Sequence, residues 1–160
     1  MEFVPKSIHL AVRNLNLEVL KMLLDAGGDI KYVDPISGIS VLHEAARAIK
    51  GKKSVILERI AIMDFIFQKF PKVVNMPDQN GKTPLHYAVE YPIVGQEETI
   101  EFLVKKMGAD ITLKDKEGHT PLQKVIILRS GLNEPYLRML GAKGSYYDVV
   151  HIYRMRHLYL

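Results

Sequence analysis

The sequence predicts an all-α chain: a solenoid of stacked helix-turn-helix units with projecting hairpin loops. Three observations carry that prediction. A glycine-led block recurs three times, a second apolar block with its own glycine follows, and the apolar residues in these blocks fall at helical spacing.

The first block reads Gly38-Ile39-Ser40-Val41-Leu42-His43-Glu44-Ala45-Ala46. It returns as Gly81-Lys82-Thr83-Pro84-Leu85-His86-Tyr87-Ala88-Val89 and as Gly118-His119-Thr120-Pro121-Leu122-Gln123-Lys124-Val125-Ile126. The glycines are 43 and 37 residues apart, and an earlier copy without the glycine keeps Ile8-His9-Leu10-Ala11-Val12. Proline at a first helical position loses nothing, because that N–H has no partner inside the helix. The preceding threonine is an N-cap, whose oxygen accepts from an N–H at the helix start. Leu85, Ala88 and Val89 then form one apolar stripe, and the small Ala45, Ala46 and Ala88 let helices approach closely.

The second block is Glu18-Val19-Leu20-Lys21-Met22-Leu23-Leu24-Asp25-Ala26-Gly27, matched by residues 99–108 and more loosely by residues 62–75. Gly27 and Gly108 end their helices, where a left-handed residue is usually required. Asp78-Gln79-Asn80-Gly81 is a turn sequence. The units fall at about 1–33, 34–76, 77–113 and 114–142. One such unit cannot bury its apolar face alone, whereas a stack can. Residues 143–160 lie outside the repeats. Val149, Ile152, Met155 and Tyr159 there fall at helical spacing, which predicts a capping helix, with a disordered or partner-binding tail as the alternative.

Two units are lengthened. The second gains residues between Ala46 and Ile60, where residues 55–69 contain neither Gly nor Pro. An outer helix over 55–69 is predicted, with Ser54 as N-cap and Ile56, Ile60, Met63 and Phe67 as its stripe. The rest, residues 49–53, forms a loop carrying Lys50, Lys52 and Lys53. Stacking would bring that loop beside the third unit's loop and the helix start at Glu97 and Glu98.

Composition narrows the function. A chain of 160 residues fits one domain, and 48% hydrophobic with 25% charged residues is ordinary for a folded soluble protein. The absence of cysteine excludes a disulfide scaffold, a Cys-based zinc site, an iron–sulfur cluster and a thiol nucleophile, and fits a reducing compartment. No apolar run approaches the roughly 20 residues of a membrane span. The N-terminus lacks the pattern of a secretory signal. These features point to a cytoplasmic or nuclear setting. The net charge of +4 comes from 11 basic and 9 acidic residues in each half of the chain, which argues against a nucleic-acid-binding segment. The C-terminal aromatics are interleaved with too few basic residues for single-stranded nucleic acid.

Catalytic patterns are missing. Glu97 and Glu98 are adjacent and do not share a helix face. Phosphate-loop spacing and a Gly-x-Ser-x-Gly elbow are both absent. His9, His43 and His86 recur one repeat apart, too far to share a metal with bonds of roughly 2 Å. His119 falls in a loop tip and is expected to be available to a partner. The sequence therefore implies no enzyme, no cofactor, no metal and no small-molecule substrate.

Thr83-Pro84-Leu85-His86 after Gly81, followed by Gly108-Ala109-Asp110, resembles the ankyrin repeat, and the resemblance covers roughly residues 5–142. The other copies depart as Lys6-Ser7-Ile8-His9, Ser40-Val41-Leu42-His43 and Thr120-Pro121-Leu122-Gln123, and both internal spacings exceed the family's period of about 33. The resemblance implies a non-catalytic module that binds another protein through loop tips and the concave face of the first helices. It also implies that His9, His43 and His86 hydrogen-bond backbone between repeats. The tip positions are Val33, Pro35, Ile36 and Ile39; Gln79, Asn80 and Lys82; and Lys116, Glu117 and His119. The groove positions are Arg13, Asn14, Arg47, Ala48, Glu90 and Tyr91. Val33, Ile36 and Ile39 are the leading contact candidates, being more apolar than a solvated turn requires. Two narrower roles follow from the resemblance. One is a pathogen- or virus-encoded adaptor acting inside a host cell. The other is a truncated inhibitor-like protein that blocks a Rel-type transcription factor.

Overall fold

A computed structural model describes residues 3–47, 54–90, 96–128 and 134–144, without the side chains of residues 3–5, 54 and 136. Its helices pair along the chain. α1 (Phe3–Arg13) precedes α2 (Leu17–Asp25), α3 (Val41–Ala46) precedes α4 (Ser54–Lys69), α5 (Pro84–Val89) precedes α6 (Gln96–Glu101), and α7 (Pro121–Ile127) precedes α8 (Glu134–Met139). The first helix of each pair packs on the next first helix, α1 on α3 on α5 on α7. The second helices form an outer row in which α2 meets α4 and α4 meets α6. An all-α solenoid of stacked pairs results, and among the described residues the strand pairing is a single antiparallel bridge between Val33 and Ser40.

The core runs between the two rows. Leu42, Leu85 and Leu122 hold equivalent positions of the inner helices and are fully buried. Ala45, Ala46 and Ala88 are fully buried beside them, so the short inner helices approach closely. Ile62, Met63, Ile66, Ile100 and Leu103 close the core from the outer row.

The long outer helix forms as the spacing predicts, but it starts at Ser54 itself and shows a different face. Arg59, Ile62, Met63 and Ile66 are buried, Ile56, Ile60 and Phe67 are only partly so, and Leu57 is exposed. The helix is apolar on nearly every side, so spacing alone could not select the face that α2 and α6 cover. A 3₁₀ turn at Pro71–Asn75 then leads to the third hairpin. α6 widens into a π-helical turn at Phe102–Lys106, with the Met107 N–H donating to the Phe102 carbonyl at 3.0 Å.

The hairpins are tied to one another. The Gln79 N–H donates to the Ser37 carbonyl at 2.9 Å, and the Lys116 N–H donates to the Asn80 carbonyl at 2.8 Å. Gly38 makes the first contact possible: its φ is +72°, and a Cβ there would lie 2.6 Å from the Gln79 nitrogen. The predicted loop at 49–53, the loop before Glu97 and the C-terminal cap fall outside the described residues.

Candidate functional site

The repeated histidines build the frame. Ser40 and Thr83 cap α3 and α5, and their backbone N–H groups donate to Nδ1 of His43 and His86, each at 3.1 Å. A backbone N–H can only donate, so each Nδ1 is unprotonated and each Nε2 carries the hydrogen. His43 Nε2 donates to the Lys82 carbonyl at 2.9 Å, and His86 Nε2 donates to the His119 carbonyl at 3.0 Å. His9 Nε2 lies 3.3 Å from the Tyr32 carbonyl. Burial pushes both His43 and His86 below the ordinary histidine value, despite their carbonyl partners. In the fourth pair Gln123 takes the histidine's place, and its Oε1 accepts from the Thr120 N–H at 2.9 Å.

Charged residues gather at the ends of the inner helices and the bases of the hairpins. Glu44 is buried and accepts from Arg13 Nε at 3.0 Å and Nη2 at 2.6 Å. Arg47 reaches the same carboxylate more loosely, at 3.7 Å. The Arg47 and Lys82 cations both lie within 6 Å of the Tyr87 ring, at 5.9 and 5.8 Å from its centroid. The Tyr87 hydroxyl donates to Asp78 at 2.8 Å, and burial together with that carboxylate pushes the phenol's pKa up. Lys82 pairs with Glu90. Lys124 pairs with Glu117 and, at 3.0 Å, with Asp115. Burial works against the Lys124 charge, but the two carboxylates outweigh it and raise its pKa.

The tip residues divide into two groups. Ile36 is 88% exposed, and Gln79, Asn80, Lys116 and Pro35 are exposed as well. Val33 is half-buried in the bridge to Ser40, and Ile39 packs against the core, so the three apolar residues do not form one surface. Lys82, Glu90 and Glu117 are engaged in the ion pairs above. On the inner-helix face Arg13 and Asn14 are exposed and Arg47 is half-exposed, while Ala48 and Tyr91 lie outside the described residues.

The expectation for His119 is corrected. Its side chain is 2% exposed and tucked between Asp115 and Glu117, with Nδ1 3.8 and 3.4 Å from their oxygens. The stacking fixes it there: its carbonyl accepts from His86, and its own N–H donates to Asp115 at 2.9 Å. Donor atoms of Asp115, Glu117 and His119 lie within 4.8 Å of one another, the spacing of a metal site. The Lys124 ammonium already bridges both carboxylates, so the cluster reads as an ion-paired base for the fourth helix pair.

Sequence reasoning missed Arg59. It is 3% exposed on α4 and donates to Gln96 Oε1 at 2.7 Å and Thr99 Oγ1 at 3.3 Å, both on α6. Gln96 donates in turn to the Ala46 carbonyl at the end of α3. Arg59 sits at i−3, i−4 and i−7 from Ile62, Met63 and Ile66, so the correct helix face would have exposed it as a buried cation. On the outer side a cleft of about 470 Å³ opens between α2 and α4, where Lys21 and Lys69 flank Phe65. No helix among the described residues is long and apolar enough to cross a membrane.

Comparison with known proteins agrees with this architecture. The family described as ankyrin repeats (three copies) matches residues 8–115. The human ankyrin repeat domain-containing protein SOWAHD is 37% identical over 112 residues, covering 69% of this chain and 33% of that protein. The ankyrin repeat-containing protein P1E11.10 of Schizosaccharomyces pombe is 44% identical over 48 residues, 30% of this chain and 21% of its own length. Human ARF GTPase-activating protein GIT1 is 32% identical over 100 residues, 62% of this chain and 11% of its own. The chain thus spans about a third or less of the length of each of these relatives.

Proposed function

Because the chain belongs to the ankyrin-repeat family, a family of protein-interaction modules that are generally non-catalytic, we propose that it grips a partner protein along its hairpin tips and inner-helix face. In this reading residues 1–142 form the module as four units, and residues 143–160 cap it. One observation carries the proposal. The tips are held together by backbone hydrogen bonds from the Gln79 N–H to Ser37 and from the Lys116 N–H to Asn80, yet Ile36, Gln79, Asn80 and Lys116 are exposed. Such a row is ordered before binding, so a partner does not have to order it. Ile36, exposed to 88% on that turn, is the apolar member of the row. Neither the helices nor the hairpins favour a Rel-type transcription factor over any other protein.

Ile36→Ser tests the reading directly, because this side chain supports nothing in the fold. Calorimetry with a captured partner should show weaker binding while urea melts stay unchanged. Unchanged affinity would remove the second tip from the interface. If substitutions at Gln79, Asn80 and Lys116 were equally silent, the tip reading would fall altogether.

A further inference from the structure

We propose that the inner-helix face around α1 and α3 binds an acidic peptide segment that carries one large apolar side chain. The inference rests on the protein-binding reading above and names the chemistry of the partner.

The charges on this face are sorted by depth. Glu44 lies at the bottom with its side chain 3% exposed, while the Arg13 and Arg47 side chains above it are 54% and 40% exposed. Both Glu44 oxygens are taken by Arg13. Asp34 is spent on its own turn, where one oxygen accepts from the Ile36 N–H, the Ser37 N–H and the Ser37 hydroxyl. Asp78 is buried beneath Tyr87. Arg13 is therefore neutralised by Glu44 and Asp34 keeps its own charge, so the cations left for an approaching molecule are Arg47 and Lys6. Arg47 reaches Glu44 only at 3.7 Å and keeps hydrogen-bonding capacity. Lys6, one helical turn before Leu10, is exposed at the same rim. A carboxylate suits such a site, because guanidinium groups hold planar anions with paired hydrogen bonds.

The apolar component lies beside the cations. A cleft of about 330 Å³ runs between α1 and the hairpin before α3, lined by Lys6, Leu10, Arg13 and Ile39 together with Asp34 and Glu44. Leu10 is 55% exposed there, although its neighbours Ile8, Ala11 and Val12 are buried. The volume is at the small end for a ligand pocket and suits one side chain. The exposed Leu10 and the partly buried Ile39 give the cleft an apolar wall that a peptide side chain can fill and a nucleic-acid phosphate backbone cannot.

The experiment is selection of displayed random peptides on the full chain. Selected peptides are then made with a fluorescein label and titrated by anisotropy at low and high salt. Selected sequences should combine Asp or Glu with one Leu, Ile, Phe or Trp, and bind more weakly at high salt. Lys6→Gln with Arg47→Gln should weaken binding about three- to tenfold, and Leu10→Asp about tenfold or more. All three side chains are exposed or half-exposed, so urea melts should not move. Selected peptides that are neutral or basic, yet still lose affinity on Leu10→Asp, would overturn the acidic partner and leave the protein-binding reading standing. Tighter binding of a single-stranded oligonucleotide with the same dependence on Lys6 and Arg47 would also overturn it. No selected peptide, or binding indifferent to these variants and to Ile36→Ser, would overturn both readings.

Discussion

His43 Nε2 lies 2.9 Å from the carbonyl oxygen of Lys82, a residue of the next repeat, while its Nδ1 receives the Ser40 N–H at 3.1 Å. One neutral ring thus caps its own helix and ties that helix to the following hairpin. His86 does the same between Thr83 and His119. Protonation would place a hydrogen on Nδ1 facing a donor, breaking the cap. Burial lowers both histidines from the ordinary 6.5, so the unfolded chain binds protons more readily than the folded one. Their contribution is complete above about pH 6.5 and declines as pH falls from there through the lowered folded values. The expected slope is at most about 1.4 kcal/mol per pH unit for each histidine. Urea melts between pH 7.5 and 5 read it, and flat stability over that range would refute the neutral caps.

The two hydrogen bonds of His86 separate by substitution. His86→Ala leaves the buried Thr83 N–H without its acceptor and should cost about 1–3 kcal/mol, while the His119 carbonyl loses one donor but keeps the Asp115 N–H at 2.9 Å. His86→Gln should cost less, because Gln123 makes the equivalent cap with Thr120 at 2.9 Å in the fourth pair. It should also remove this residue's share of the acid sensitivity. Glutamine as damaging as alanine would show that ring packing, not the cap, is what the histidine supplies.

Gly38 and Gly118 hold equivalent turn positions, with φ of +72° and +81°. Only Gly38 has a neighbour: a Cβ there would meet the Gln79 nitrogen at 2.6 Å, whereas Gly118 has nothing within 4 Å. Gly118→Ala should therefore cost only the left-handed penalty of about 1–2 kcal/mol. Gly38→Ala should cost that plus the Gln79 to Ser37 hydrogen bond, about 1 kcal/mol or more beyond it. Equal losses in urea melts would mean that the hairpins are not zipped in solution.

Much of this fold was legible because local chemistry repeats. Thr-Pro at a helix start, glycine at a left-handed turn and alanine at a close approach each carry a local physical cause. The histidine positions were legible for the same reason, and their bonds appear where the repeat alignment implies. What was not legible depends on the neighbour's surface. His119 looks like a loop residue, but the preceding inner helix, through His86, and two carboxylates enclose it. Ile39 looks like part of an apolar tip but packs inward. The face of α4 could not be chosen from a helix whose sequence is apolar on almost every side. The ion pairs of Lys82 with Glu90 and Lys124 with Glu117 join residues seven or eight apart, across the hairpin-to-helix corner. One member of each pair lies in the hairpin, so no helical or strand period runs through both.

Arg59 gives the sharpest test of how the lengthened second unit packs. A guanidinium 3% exposed is costly unless its hydrogen bonds are met, and here Nη1 alone donates, to Gln96 and Thr99 at 2.7 and 3.3 Å, while the buried Nε has no partner among the described residues. Burial lowers the Arg59 pKa, the direction expected of a cation held without a carboxylate beside it. Gln96 extends the network by donating to Ala46 at 3.1 Å, so one chain of bonds joins α4, α6 and the end of α3. Removing either side chain leaves the other's polar atoms buried, so Arg59→Ala and Gln96→Ala should each destabilise by about 1–3 kcal/mol. Removing both discards a bond already lost in each single variant. The double variant should therefore lose less than the sum of the singles by about 0.5–3 kcal/mol, as residues sharing a hydrogen bond do. Denaturant melts of the four proteins measure the difference. Additive losses would mean that Arg59 and Gln96 are not bonded, and that α4 meets α6 through apolar contacts alone.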